Sequence, residues 1–313
     1  MTHASTSLQR RVQRSLAINR TAELTFPCVF MALAVREIGD DDVIVEFEDD
    51  GTFRAAAGEL SWTTIGVLAD RAVGAVIGIK AGPKVRGVTI HLQVQMTGAS
   101  TRGRTRVLAR GHFVSFSENA LGRQSFATAT IECDGAVVAH ASAAFMMRDL
   151  PDGKTLSPRP WLAEATDPGP IEGLALDSNE LEAVRRCERA EAEATEAFPF
   201  IEHFWGGIPQ ATDGGAHLNV PVAAHLGNRV GHAHGGLLLG IAARVANAAV
   251  PPNLRLSNIS AWFISPGLGP DLEVRSSVVQ QGRSIAVVRT QIVGASNKLV
   301  LEATSQHVAA AAE

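Results

Sequence analysis

The chain has 313 residues, 46% of them hydrophobic and 19% charged, with a formal net charge of -4. This describes one large or two ordinary globular domains with a sizeable core. It gives no general electrostatic reason to bind nucleic acid, and no basic run with interleaved aromatics appears, so small molecules are the expected partners.

Cys28, Cys133 and Cys187 are far apart and odd in number, which suggests neither a disulfide framework nor a Cys-based zinc site, and a reducing compartment. No apolar run approaches about 18 residues and no secretory signal opens the chain, so no membrane span is expected.

Residues 1–22 carry Arg10, Arg11, Arg14 and Arg20 and no acid. They read as an N-terminal arm, an exposed helix or an organellar transit peptide. Residues 23–150 then form a first domain. Val43 to Phe47 is a short strand, and Gly58 to Lys80 is an apolar helix ended by Gly82-Pro83. From Val88 to Met96, Thr89, His91, Gln93 and Gln95 alternate with Ile90, Leu92, Val94 and Met96, a period of two. Strands are expected at Arg106 to Phe116, Gln124 to Cys133 and Val137 to Met146, the last two joined by the hairpin signal Asp134-Gly135.

Residues 151–180 concentrate proline, glycine and acid and read as a linker. Residues 181–313 form a second domain, with a helix from Gly236 to Val250 stopped by Pro251-Pro252. Strands follow near Ser257 to Ile264, Leu272 to Gln280, Ser284 to Val293 and Leu299 to His307. The order of elements repeats. Phe26-Pro27 recurs as Phe198-Pro199, Leu68-Ala69-Asp70-Arg71 as Ile241-Ala242-Ala243-Arg244, and Gly122-Arg123 as Gly282-Arg283. One helix among consecutive strands, twice over, indicates α+β with mostly antiparallel strands, each sheet wrapped around an apolar helix.

The most informative segment is Asn228-Arg-Val-Gly231-His-Ala-His234-Gly235-Gly236, which runs straight into the second helix. Glycines at a helix start expose backbone N–H groups and the positive end of the helix dipole to a polarised carbonyl or an anion. They also serve as a permissive turn. No G-x-S-x-G accompanies the His-Gly-Gly, which excludes the serine-esterase use of such a motif. No phosphate-binding glycine loop is present. His217, His225, His232 and His234 cluster in sequence, but no nearby acid or cysteine completes a ligand set, so no metal is expected.

The pattern Asn-x-x-Gly-x-x-His-Gly-Gly, helix and antiparallel strands, in a chain that repeats itself, resembles the hotdog-fold acyl-CoA thioesterases of the phenylacetate-pathway (PaaI-like) type. The resemblance covers about residues 23–148 and 195–310. It implies two hotdog domains in one chain with a site shared between them. One hotdog supplies the Asn and the glycine helix start; the other supplies an acid two turns along its helix and a Ser/Thr on the following strand. Eight residues on from Gly235 stands Ala243, whereas the matching position in the first half is Asp70. Conversely Ser61-Trp62-Thr63 replaces His234-Gly235-Gly236, and Thr89 is matched by Leu256.

The resemblance therefore implies one composite site, with Asp70 as general base or nucleophile and Gly235 N–H on the thioester oxygen. Thr89 would orient water or the acid, Asn228 would position water or the leaving thiolate, and His234 would brace the loop. Gly236, Gly282, Arg283 and Trp62 are candidate substrate contacts, Gly282-Arg283 being first a hairpin turn and Trp62 first a core or interface residue. The expected reaction is acyl-CoA hydrolysis without metal or organic cofactor, in the cytoplasm or alternatively an organellar matrix, by a chain able to oligomerise. The alternatives are a non-catalytic acyl-CoA sensor and a hotdog enoyl-CoA hydratase or dehydratase.

Overall fold

The computed structural model describes residues 6–22, 25–119, 122–150, 175–228 and 231–309. The first half contributes α1 (Ser7–Ala22), α2 (Phe26–Phe30), β1 (Ala34–Ile38), β2 (Asp42–Glu48), α3 (Trp62–Ala81), β3 (Val85–Met96), β4 (Arg106–Asn119), β5 (Gly122–Cys133) and β6 (Ala136–Asp149). The second contributes α4 (Ser178–Glu193), α5 (Phe200–Phe204), β7 (Gln210–Thr212), β8 (Gly215–Pro221), α6 (Gly235–Ala248), β9 (Leu254–Phe263), β10 (Asp271–Gln281), β11 (Ile285–Gly294) and β12 (Lys298–Ala309). All the strands form one antiparallel sheet in the order β1-β2-β4-β5-β6-β3-β9-β12-β11-β10-β8-β7. The order within each half is the same, read outward from a seam where β3 pairs with β9. This is the expected α+β tandem.

Each half-sheet packs on one apolar helix. α3 is buried almost continuously from Thr63 to Ile77, and α6 from Gly236 to Ala246. By length and apolarity α3 would span a bilayer, but its faces are covered by strands β2 to β6 and by α6. The two helices approach closely enough to require glycine. A Cβ on Gly236 would stand 2.3 Å from Gly66 O, one on Gly66 2.2 Å from Gly236 O, and one on Gly240 2.4 Å from Thr63 Cα. The spacing Gly236-x-x-x-Gly240 presents both to α3 on one helical face.

The remaining helices also come in matched pairs. α1 buries Val12, Leu16 and Ala17 and is tied to α4 by Arg20, which bonds Glu180. The N-terminal segment is thus a docked helix rather than an exposed one. Of the expected linker, residues 151–174 lie outside the described residues, whereas Ser178–Glu180 already form the first turn of α4, held by an Asp177/Glu180 capping box. Short α2 and α5 meet through Phe30 and Phe204, ring centroids 5.0 Å apart. The repeated pair is therefore Phe26/Phe30 with Phe200/Phe204, so Phe198-Pro199 is offset by two residues from its presumed match.

Candidate active site

The start of α6 has no cap of its own, because its N-cap residue is His234 and that side chain accepts no backbone hydrogen bond. The acceptor comes from the neighbouring helix. Asp70, on the α3 face turned to α6, takes the Gly236 N–H on Oδ2 at 3.1 Å. Its Oδ1 receives the Thr89 hydroxyl at 3.2 Å. Asp70 is buried, 8% exposed, and lies where the positive end of the α6 dipole favours its charge. Gly235, the first residue of the helix, is half-buried, and its N–H precedes the first intrahelical bond. A Cβ there would stand 3.3 Å from Asp70 Oδ2 and 3.5 Å from the Phe263 ring, so a side chain would crowd the acid.

Thr89 reaches Asp70 only because β3 is irregular. Strict alternation would place Thr89 on the same sheet face as His91, which instead bonds Ser260 and lies beside the exposed Trp262. The register against β6 slips between Thr89 and His91, leaving Ile90 as a bulge that reverses the phase of the strand. An equivalent slip in β9 leaves Ser257 unpaired and turns Leu256 inward. The matching bulges confirm that Thr89 and Leu256 occupy equivalent positions.

The His234 Nδ1 atom lies 3.5 Å from Asp70 Oδ2, and both groups are buried. The Cys28 thiol of α2 is the other polar group that acts on His234. Burial alone would lower the His234 pKa, but the Cys28 bond and the Asp70 charge outweigh it and raise the value. Burial would likewise raise the Cys28 pKa, but the His234 bond and the Arg71 charge lower it. By contrast burial pushes Cys133 up to about 11 and Cys187 up to about 12. Cys28 was not singled out as a site residue in the sequence, where nothing marks it. Its link to His234 exists only in the folded chain, through α2 and the Phe26 N–H to Gly227 O bond that fixes α2 to the loop before α6.

Asp70, Thr89, His234, Gly235 and Gly236 therefore converge. Asn228 is placed differently: its Oδ1 accepts the His232 N–H at 3.1 Å and braces its own loop. Gly236 is buried and serves the acid and the helix contact, which leaves no room for the direct substrate contact expected of it. Gly282 and Arg283 follow β10, whose partner strand β11 pairs Ile285 with Val308, itself opposite Arg255. They are thus at the Leu256 end of the seam, away from Thr89, and so is Trp62 at the start of α3. The substrate contacts expected of these three do not lie at the Asp70 centre. Among the described residues no group of three His, Cys, Asp or Glu side chains is arranged to hold a metal ion.

The fold has counterparts. The tesB protein of Mycobacterium avium subs paratuberculosis superposes with a TM-score of 0.53 at 13% identity, over 88% of this chain and 96% of its own. A hot-dog-fold protein from Alicyclobacillus acidocaldarius gives 0.52 at 12% identity, over 90% and 97%. An acyl-ACP thioesterase from Bacteroides thetaiotaomicron gives 0.51 at 9% identity, over 85% and 97%. The chain is a double hotdog. Residues 225–308 of its second repeat match the family described as Acyl-CoA thioesterase N-terminal domain. That match covers the second repeat only, and the superposed structures share the fold of both repeats. None of these descriptions names the phenylacetate-pathway type, which stays an expectation of the sequence. No curated protein sequence matches the chain significantly.

Proposed function

We propose that this double hotdog hydrolyses an acyl-CoA thioester to the free acid and CoA at the single composite centre formed by Asp70 and Thr89 of the first repeat and His234 and Gly235 of the second. The observation that carries the reading is the Asp70 carboxylate set against the glycine start of the opposing helix, 3.1 Å from the Gly236 N–H. A thioester whose carbonyl oxygen meets the Gly235 N–H would be polarised by a fixed donor at the positive end of α6 as negative charge develops. Asp70, fixed by Thr89 and Gly236, would then either take a proton from an attacking water, whose addition expels the CoA thiolate, or add to the carbonyl itself and expel that thiolate, leaving a mixed anhydride that water opens to the free acid and the Asp70 carboxylate. The His234 imidazole, whose pKa Cys28 and Asp70 raise against the effect of burial, would keep the carboxylate oriented. The chemistry needs no metal or organic cofactor.

The test is thiol release from a panel of acyl-CoA substrates by wild type and by Asp70→Asn, which keeps the shape and removes the base and nucleophile. Loss of about 10² to 10⁴ in kcat/KM is expected. Unchanged turnover in the variant would sink the mechanism. Binding without thiol release by the wild type would favour the acyl-CoA sensor instead, and hydration of an enoyl-CoA the hydratase.

A further inference from the structure

Matching arginines are held in the two repeats, and among the described residues only one forms an ion pair. On α1, Arg11 Nε donates to the carbonyl of Phe30, the last residue of α2; on α4, Arg186 Nε donates to that of Phe204, the last residue of α5. Arg11 also pairs with Asp50, Nη1 to Oδ2 at 2.7 Å. The bonds Asp49 N–H to Thr105 O and Val222 N–H to Pro270 O align Asp49 with Val222, so the residue matching Asp50 is Ala223. In the same way Leu33 N–H to Cys28 O and Gly207 N–H to Glu202 O align Leu33 with Gly207. Where the first repeat has a leucine and a carboxylate, the second has glycine and alanine. Beside Gly207 a cavity of about 480 Å³ opens between α4, the end of α5 and β8, with Arg186 in its wall.

The acids near Arg186 are engaged elsewhere. Glu182 pairs with Arg189, and Glu193, at the rim, with His203 Nδ1 at 3.3 Å. Among the described residues Arg186 forms no ion pair, and its remaining hydrogen bond runs from Nη2 to the carbonyl of His203. Burial and the like charge of Arg189 lower its pKa, as expected of a cation short of a counter-ion.

We propose that this cavity binds a small anionic ligand whose carboxylate or phosphate group pairs with Arg186, as Asp50 pairs with Arg11. A guanidinium offers such oxygens a two-pronged donor, and the volume suits a compact metabolite. The site is built from α4, α5 and β8, none of which supplies a residue to the Asp70 centre, so it stands independently of the proposed hydrolysis.

The experiment is calorimetric titration of the full chain with inorganic phosphate and, separately, with butanoate. One ligand per chain is expected for at least one probe, and the probe that binds identifies the source chemistry. Arg186→Gln should weaken binding about 10- to 100-fold, and Arg186→Lys less. Arg186 also holds the end of α5, so a second variant guards against misfolding. Asn219→Glu places a carboxylate at an exposed strand position on the cavity wall, and it should weaken binding while circular dichroism stays that of wild type. Absence of binding by both probes, or binding by Asn219→Glu equal to wild type, overturns the proposal.

Discussion

The two central helices begin at equivalent positions and dispose of their free N–H groups in opposite ways. α3 caps itself: Ser61 Oγ accepts the Thr64 N–H at 3.1 Å and shares contacts of 2.8 Å with the Thr63 and Thr64 hydroxyls, all buried, and Trp62 occupies the first helical position. α6 is capped from outside by Asp70, and its first position is glycine. A self-capped start is satisfied and inert. A start capped by another helix's acid gathers a carboxylate and a helix-end donor at one point, and that difference separates the proposed centre from its counterpart.

The same contrast runs deeper. The residue matching Cys28 is Glu202, which forms a buried ion pair with Arg244 at 2.5 Å, and Arg244 corresponds to Arg71. In the first repeat the thiol takes the acid's place, and the nearby charge is shared with His234. One repeat has an ion pair where the other has a thiol beside His234.

Asp70→Asn is the largest expected break in this comparison, at about 10² to 10⁴ in kcat/KM. Gly235→Pro comes next. Proline is well tolerated at a first helical position, and His234 already has the extended φ −70°, ψ 131° that a following proline favours. The variant should fold, yet it lacks the donor aimed at the thioester oxygen and its Cβ stands against Asp70, so it should lose at least about 10² to 10³ in kcat. Near-normal kcat in a folded Gly235→Pro protein would remove the Gly235 N–H from the mechanism.

The second repeat should dominate acid sensitivity. His307 pairs with Leu256 in register, as Phe145 pairs with Thr89, and burial lowers its pKa to about 4. Burial also holds His225 well below its ordinary value. The unfolded chain therefore takes up protons near pH 6.5 that the folded chain refuses. Stability is fully present above that pH and declines as pH falls toward 4, His307 alone contributing about 3 kcal/mol. Denaturant melts across this window should show the decline, and His307→Phe, which imports the first repeat's residue, should flatten it without abolishing the part due to His225.

A smaller effect belongs to the inert cap. Ser61→Ala should cost about 0.5 to 2 kcal/mol in denaturant midpoint and leave kcat/KM unchanged, whereas loss of activity would give the α3 start a role denied to it above.

Much of this was legible beforehand, for reasons that differ by element. The central helices and the long strands β3 to β6 and β9 to β12 follow from local period and from Gly and Pro stops; the structure lengthens most of the strands, starts α3 only at Trp62, after the Ser61 cap, and ends α6 at Ala248. β1, β7, α2 and α5 are too short to show a period, although the recurrence Phe-x-x-x-Phe at Phe26/Phe30 and Phe200/Phe204 would have marked the two helices. The division of the site between Asp70 and Gly235 was readable because the repeats can be compared position by position. Cys28 was not, since a thiol turned to a histidine 206 residues away leaves no local trace. Nor were the packing roles of Gly236 and Gly240, which depend on how closely α3 approaches.

Thr89 marks where pattern and geometry part. Period-two alternation assigns it to the outer face, and only the bulge at Ile90 brings its hydroxyl to Asp70. Both repeats keep the bulge, yet only one has a hydroxyl there, so the irregular backbone belongs to the fold and the threonine to the site. Thr89→Val keeps the β-branched shape and removes the donor, so it should leave the thermal midpoint nearly unchanged and lower kcat/KM about 3- to 10-fold, the worth of one partly exposed hydrogen bond. Leu256→Thr, the reciprocal change, should lower stability by loss of buried apolar surface and add no activity, because Ala243 offers its hydroxyl no acid. Equal activity loss in both variants would mean that the position acts through packing alone, and the hydroxyl bond to Asp70 would then have no part in turnover.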